Sequence, residues 1–153
     1  MKIKIDRRTP ILTQVGATPE ALLAVVGVDK RSIAIEEIDI DSIYHSLYLD
    51  INHICDGADR IDYFKKRAKK FIRLDAAIGL ALVRNCNSIP HGWGEDEHGN
   101  LVTSMYFDGT IFRSASAFDL VVRVSRDTET NLWDWSLSDT SGDSEHPSAI
   151  IKK

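Results

Sequence analysis

The hydrophobic pattern of this sequence changes its period near Asn85, and this change constrains the fold more than any other feature. From Asp41 to Asn85, apolar residues recur every three to four positions, which is typical of amphipathic helices. After it, apolar and polar residues alternate, which is typical of half-buried strands. This segregation predicts an α+β fold in which an antiparallel sheet, mostly from the C-terminal half, packs on a helical pair.

The predicted helical pair spans Asp41–Asn85. An apolar stripe over Ile43–Cys55 marks its first helix, and Asp56-Gly57 is expected to end that helix. The second helix is expected from about Asp59 to the end of the pair. Because the residues of Ala76–Val83 are apolar on all sides, this part of the second helix is predicted to be enclosed.

The sheet is expected to contain about four to six strands. Asp108-Gly109 favours a type I′ hairpin turn between the first two strands of the C-terminal half, because this dipeptide accepts positive φ values. The alternating pattern predicts four C-terminal strands, at Leu101–Phe107, Thr110–Ser114, Phe118–Val124 and Leu132–Leu137.

The N-terminal part is expected to add smaller elements to this sheet. The alternation at Ile3 and Ile5 predicts a short strand. Thr18-Pro19-Glu20 is typical of a helix start, so a helix is predicted over Pro19–Val26. The pattern of Ser32–Ile40 predicts a strand that contains a bulge or ends early.

Length and composition indicate one globular domain. With 153 residues, of which 43% are hydrophobic and 27% charged, the chain is predicted to form a single domain over residues 1–138 with a flexible tail over 139–153. Two cysteines suit a reducing compartment. The longest apolar run, Ala76–Val83, is far shorter than the ~20 residues of a membrane-spanning helix, so a cytoplasmic protein without membrane contact is expected.

A basic segment is the first candidate for function. Arg60 to Arg73 contains seven cations and one anion, within a chain whose formal net charge is -4. Such a segment predicts docking on an acidic protein surface, and contact with nucleic acid through the same helix is the alternative. A solvated helix face without a partner is a third interpretation. The cations expected on one helical face are Lys66, Lys69, Lys70 and Arg73.

The loop after Asn85 is the second candidate. Glycines on both sides of Trp93 predict an aromatic-tipped recognition loop, with acidic neighbours at Glu95, Asp96 and Glu97. An ordinary surface loop with Trp93 folded inward is the other main interpretation. A metal-dependent hydrolase is a further alternative, although the spacing matches no strong zinc pattern. Its weak candidate ligands are Cys86, His91 and His98.

Two tryptophans form the third candidate. Trp133 and Trp135 face the same side of the last predicted strand, and packing in the core explains this alternation most simply. If that strand lies at an edge of the sheet, its free backbone groups provide a place for another chain to pair.

These features favour a non-enzymatic binding protein, such as an inhibitor, immunity-type or adaptor module. The sequence has none of the common phosphate-binding, zinc-hydrolase or nucleophile motifs, so neither catalytic residues nor a cofactor are assigned. A protein partner is expected, with nucleic acid as the alternative. The predicted partner-binding residues are Lys66, Lys69, Lys70, Arg73, Trp93, Glu95, Asp96 and Glu97.

Overall fold

The structure, a computed structural model, describes residues 1–44, 56–95, 98–140 and 146–153. It confirms the α+β fold, with a main antiparallel sheet drawn mostly from the C-terminal half of the chain. Within these residues the strands are β1 (Lys2–Lys4), β2 (Ala24–Val28), β3 (Glu37–Asp39), β4 (Phe71–Arg73), β5 (Ser104–Arg113), β6 (Asp119–Arg126), β7 (Trp133–Asp139) and β8 (Ile150–Lys152). The helices are α1 (Ile11–Gln14), α2 (Lys30–Ile33), α3 (Ile40–Tyr44), α4 (Gly57–Lys66) and α5 (Ala76–Arg84).

The main sheet has the strand order β2-β5-β6-β7, and each neighbouring pair is antiparallel. Helix α5 packs on β5, β6 and β7, and its residues from Ala76 to Leu82 are buried. The prediction of an enclosed helix at this position is therefore confirmed. Two small two-stranded sheets, β1-β3 and β4-β8, complete the pairing.

The start of α5 is connected to the N-terminal segment by a partly buried ion pair. Asp75 caps the helix by accepting a hydrogen bond from the backbone N–H of Ala77. Arg7 donates to both carboxylate oxygens of Asp75, at 2.8 and 2.9 Å, and also to the carbonyl oxygens of Ser32 and Ile35. One arginine thus joins three segments of the chain.

The prediction of one continuous second helix is wrong. Helix α4 ends at Lys66, and β4 lies between it and α5. Lysines four positions apart repel each other on a helix, which disfavours its continuation through Lys69 and Lys70. Phe71 and Ile72 instead pair with β8. Most of the first predicted helix, residues 45–55, lies outside the described residues.

The predicted hairpin turn at Asp108-Gly109 is also wrong, because β5 runs without interruption through both residues. The backbone N–H of Gly109 donates to the carbonyl oxygen of Leu74 at 2.8 Å. A Cβ at this glycine would lie 2.3 Å from the carbonyl oxygen of Arg73. Gly109 is therefore required by the close approach of another backbone segment, not by a turn.

The helix predicted over Pro19–Val26 is limited to one 3-10 turn at Pro19–Ala21, and the chain then enters β2. The β-branched residues of β2 favour a strand, and pairing with β5 fixes it. The strand predicted over Ser32–Ile40 is likewise shorter than expected, because Ser32 belongs to α2 and only β3 is extended.

The C-terminal residues differ from the expected flexible tail. Ser148, Ala149 and Ile150 are buried, and β8 pairs with β4. The carbonyl oxygen of Pro147 accepts from the backbone N–H of Tyr106 at 3.0 Å. Residues 146–153 therefore belong to the packed body, while residues 141–145 lie outside the described part of the chain.

The two last predicted strands are confirmed as β6 and β7, with small differences at their ends. The alternation of apolar and polar residues predicted both strands, because each strand has one face towards the core. In the residues that the structure describes, no helix combines the length and the apolar character needed to cross a membrane.

Candidate functional site

The last turn of α4 and the turn that joins it to β4 present several cations to solvent. Lys65, Lys69 and Lys70 are exposed. The turn is closed by hydrogen bonds to the carbonyl oxygen of Arg67 from the backbone N–H groups of Lys70, at 2.8 Å, and Phe71, at 3.1 Å. This compact turn places lysines that follow the helix beside those of its last turn.

Two distant segments add their cations to the same surface. Strand β8 brings Lys153 next to the turn, where its backbone N–H donates to the carbonyl oxygen of Lys70 at 2.7 Å. Helix α2 brings Lys30 and Arg31. We define the cationic patch as the exposed or half-exposed cations that line one surface cleft: Lys30, Arg31, Lys65, Lys69 and Lys153.

Asp29 is a buried carboxylate that lines this cleft, and it forms an ion pair with Arg31. Arg31 donates from Nε to Oδ1 at 3.0 Å and from Nη2 to Oδ2 at 2.7 Å. Burial alone raises the pKa of Asp29, but hydrogen bonds from Arg31 and from the backbone N–H of Arg73 outweigh it and hold the pKa below its usual value. Asp29 is thus ionised and bound to Arg31, not to the lysines.

The four lysines of the cationic patch are all exposed. Among the described residues, no carboxylate lies within 4.0 Å of the amino groups of Lys30, Lys65, Lys69 or Lys153. Arg31 also donates to the carbonyl oxygens of Ala68 and Phe71, which fixes α2 against the turn. Within the described residues, the four lysines therefore line one cleft without an ion-pair partner.

The predicted helical face of four cations does not form, because α4 ends at Lys66 and the other three cations lie beyond it. Arg73 is turned inward and is 6% exposed, and its Nη1 donates to the carbonyl oxygen of Asp108 at 2.6 Å. Lys66 forms an ion pair with Asp62 at 2.8 Å. The prediction that Arg73 belongs to an exposed face is wrong because the helix ends before it. Lys69 and Lys70 remain exposed, as the docking hypothesis requires.

Trp93 does not form the tip of an exposed loop. Its side chain is 5% exposed, its Nε1 donates to the carbonyl oxygen of Ile40 at 3.0 Å, and its ring packs on that of Trp133. The prediction of an aromatic recognition loop is therefore wrong, because Trp93 fills the core instead. Glu95 is exposed, and Asp96 and Glu97 lie outside the described residues.

The weak metal candidates are not brought together. His91 and His98 are exposed, and Cys86 is half-buried. Over the described ranges, which omit Asp96 and Glu97, no three His, Cys, Asp or Glu side chains form a group that would hold a metal ion. The hydrolase alternative therefore gains no support from the described part of this loop.

The prediction that both tryptophans of β7 pack in the core is partly confirmed. Trp133 is 5% exposed, whereas Trp135 is half-buried. Strand β7 lies at one edge of the main sheet, as the alternative interpretation of this strand required. The packing of Trp133 against the core explains the alternation that the sequence shows.

Sequence reasoning missed Arg126, which anchors the loop that carries Trp93. Its guanidinium donates to the carbonyl oxygens of Val102, at 3.1 Å, and Trp93, at 2.5 Å, and lies over the ring of Trp133. Asn131, in the left-handed region at φ 55°, donates to the carbonyl oxygen of Ile89. A buried arginine at the end of a strand has no local sequence pattern that identifies it.

A buried polar cluster around Asp108 was also missed. Ser148 donates to Oδ2 of Asp108 and accepts from Nε of Arg60 at 2.7 Å. Burial raises the pKa of Asp108 above its usual range, despite the opposing effects of the Ser148 hydrogen bond and of Arg73. Within the described residues its Oδ1 has no hydrogen-bond partner. The cluster joins α4, β5 and the segment before β8.

This cluster makes a testable prediction for pH dependence. Because its pKa is raised, folded Asp108 retains its proton at pH values where the unfolded chain has lost it, so its contribution to stability falls as pH rises above about 4. In urea unfolding at a series of pH values, the native protein is expected to lose stability relative to Asp108→Asn over this range. Asp134→Asn, on the exposed side of β7, controls for the loss of one carboxylate. If the difference in the free energy of unfolding between the native protein and Asp108→Asn stays constant with pH, the raised pKa of Asp108 is contradicted.

Comparisons with known proteins give no information on function, so the functional interpretation rests on the geometry of the structure. No family model, no curated protein and no solved structure matches the chain. The candidate site is therefore the cationic patch, which has charge and exposure suited to binding.

Proposed function

We propose that this chain is a non-enzymatic binding protein that docks an acidic surface of a protein partner on the cationic patch. One observation carries the proposal: four lysines that have no carboxylate partner among the described residues line one cleft and come from three separate segments of a chain whose net charge is -4. Concentrated charge of one sign steers the encounter with a partner of opposite sign and fixes its orientation. An inhibitor, immunity-type or adaptor module acts in this way.

The fold maintains this concentration of charge although like charges repel each other. Specific contacts hold the three segments together: Arg31 bonds to Asp29 and to the carbonyl oxygens of the turn, and the backbone of Lys153 bonds to that of Lys70. A solvated surface does not require such convergence. Their arrangement in one cleft supports a binding role over a role in solubility alone.

The walls of the cleft favour a protein partner over nucleic acid. Val28 and Ala68 line it and are exposed, so apolar surface adjoins the lysines. Protein interfaces combine an apolar centre with a polar rim, whereas a phosphate backbone gains little from apolar contact. Nucleic acid is therefore the alternative that the experiment must exclude.

Charge reversal tests the proposal. Poly-L-glutamate serves as the acidic probe, and its binding to labelled protein is measured by fluorescence anisotropy at low and moderate salt. The native protein is expected to bind, with an affinity that falls as salt rises because exposed charges are screened. Lys65→Glu together with Lys69→Glu is expected to weaken binding by about tenfold or more, equivalent to ~1.4 kcal/mol.

The matched control is Lys2→Glu with Lys4→Glu, which gives the same net charge but changes exposed lysines of β1. This control is expected to retain most of the affinity. Equal losses in both double variants would show that binding depends on net charge and not on the patch. Tighter binding of an RNA or DNA oligonucleotide than of poly-L-glutamate would favour the nucleic-acid alternative.

A further inference from the structure

Strand β2 lies at one edge of the main sheet and exposes apolar side chains. Val25, Val26 and Val28 are 37%, 45% and 38% exposed, and Leu22, just before the strand, is 67% exposed. In the described part of the chain, β2 pairs with β5 on one side and with no strand on the other. Neighbouring apolar residues on a free edge are uncommon in a protein without a partner at that position.

The edge has little of the protection that edge strands normally carry. Ala24–Val28 contains neither a charged residue nor a proline. A register shift between Val25 and Gly27 makes a bulge, which is the one protective device within this strand. Unpaired backbone groups beside exposed apolar side chains are the features that strand addition uses.

The end of β2 reaches the cationic patch. Val28, its last residue, lines the same cleft as Lys65, Lys69 and Lys153. The strand has five residues, and a strand rises about 3.3 Å per residue. A segment that pairs along β2 and continues past Val28 therefore enters the cleft that the lysines line.

We propose that β2 is the strand to which an extended segment of the partner adds. The segment contributes apolar side chains beside Val25 and Val26 and carries carboxylates at the end that lies next to Val28, where they meet Lys65 and Lys69. This inference rests on the proposed function, because the lysines select the acidic partner. Backbone hydrogen bonds to β2 then supply affinity that does not depend on charge.

A second copy of this chain fits the edge less well. In an antiparallel pairing of two β2 strands, the residues before the second β2 would lie beside the lysines of the first. Those residues include one carboxylate, Glu20, within Thr18–Leu23. Charge complementarity therefore favours a different protein with an acidic segment, and self-association becomes an outcome of the test.

The experiment begins with a displayed library of random nine-residue peptides, selected on the native protein at low salt. The enriched peptides are expected to combine alternating apolar residues with two or more carboxylates at one end. One enriched peptide is then synthesised with N-methyl groups on alternate residues, in two versions. Successive backbone N–H groups point to opposite sides of a strand, so one version is expected to bind at least about tenfold more weakly and the other unchanged.

Hydrogen exchange provides the readout on the protein. Addition of the unmethylated peptide is expected to slow exchange of backbone amides in Ala24–Val28 and to leave those of β7, the opposite edge, unchanged. The double variant Lys65→Glu with Lys69→Glu is expected to weaken binding of this peptide by about tenfold or more.

The outcomes separate this inference from the proposed function. If the peptides require Lys65 and Lys69 but tolerate both patterns of N-methylation, the acidic-partner function stands and strand addition is overturned. If binding follows N-methylation but ignores the two lysines, the acidic end of the segment is wrong. If no peptide is enriched, or if the protein self-associates with slowed exchange in β2 before peptide is added, the inference is overturned.

Discussion

Replacing Gly109 with alanine is expected to lower the free energy of unfolding by about 3 kcal/mol or more. The new Cβ would lie 2.3 Å from the carbonyl oxygen of Arg73 and 2.6 Å from the carbonyl carbon of Leu74. Both are backbone atoms at the junction of β4 and α5, so a change of side-chain rotamer does not relieve the overlap. Relief requires a main-chain shift that breaks the hydrogen bonds of Gly109 with Leu74 and Asp29. Urea unfolding followed by circular dichroism measures the loss.

Gly92→Ala is the matched control for this substitution. Gly92 is exposed, and the nearest atom to its added Cβ is a carboxylate oxygen of Glu95 at 3.6 Å, an ordinary contact. The control is expected to stay within about 1 kcal/mol of the native protein. If Gly109→Ala has no larger effect than Gly92→Ala, the close approach of β5 to the β4–α5 junction is wrong.

Arg126→Ala is expected to cost about 3 kcal/mol, because its buried guanidinium satisfies several backbone acceptors at once. The substitution leaves the carbonyl oxygens of Val102 and Trp93 without this donor and removes packing from the ring of Trp133. The measurement is urea unfolding combined with tryptophan fluorescence. A shift of the emission to longer wavelength is expected as Trp93 and Trp133 gain contact with water.

Two further variants separate the causes of that loss. Arg126→Met keeps an apolar side chain in place of the stem of the arginine. The difference in the free energy of unfolding between Arg126→Met and the native protein therefore measures mainly the contribution of the hydrogen bonds. Arg113→Ala removes an arginine that is half-exposed and paired with Asp119, and its cost is expected to be below about 1 kcal/mol. Equal losses in Arg113→Ala and Arg126→Ala would show that Arg126 does not anchor the loop.

The sequence was sufficient to predict the elements whose local pattern agrees with their final environment. Strands β6 and β7 alternate because one face of each lies on the core. The uniformly apolar α5 is enclosed between the sheet and the N-terminal segment. In these elements periodicity, propensity and burial all favour the same structure, so short-range analysis was adequate.

The remaining elements depend on contacts that no local pattern contains. Asp108-Gly109 has the composition of a hairpin turn, yet Gly109 is needed because the β4–α5 junction approaches it. The start pattern at Pro19 produced one 3-10 turn, and pairing with β5 then determined β2. Short segments of mixed propensity follow their tertiary partners.

The candidate site was only partly predictable for the same reason. The basic segment showed that Lys69 and Lys70 would be near each other, and both are exposed. The contributions of Lys30 and Lys153 required knowledge of how α2 and β8 pack beside the turn. Burial of Trp93 and Arg73 likewise depends on partners far away in the sequence.

The assembly of the cationic patch from three remote segments has a thermodynamic consequence. Denaturation disperses Lys30, Lys65 and Lys153 along the chain, so the denatured ensemble presents no equivalent concentration of charge. A polyanion that recognises the patch discriminates between the two states and by mass action shifts the equilibrium towards the native one. Occupancy of this surface and conformational stability are therefore linked quantities, and the melting temperature becomes a function of ligand concentration.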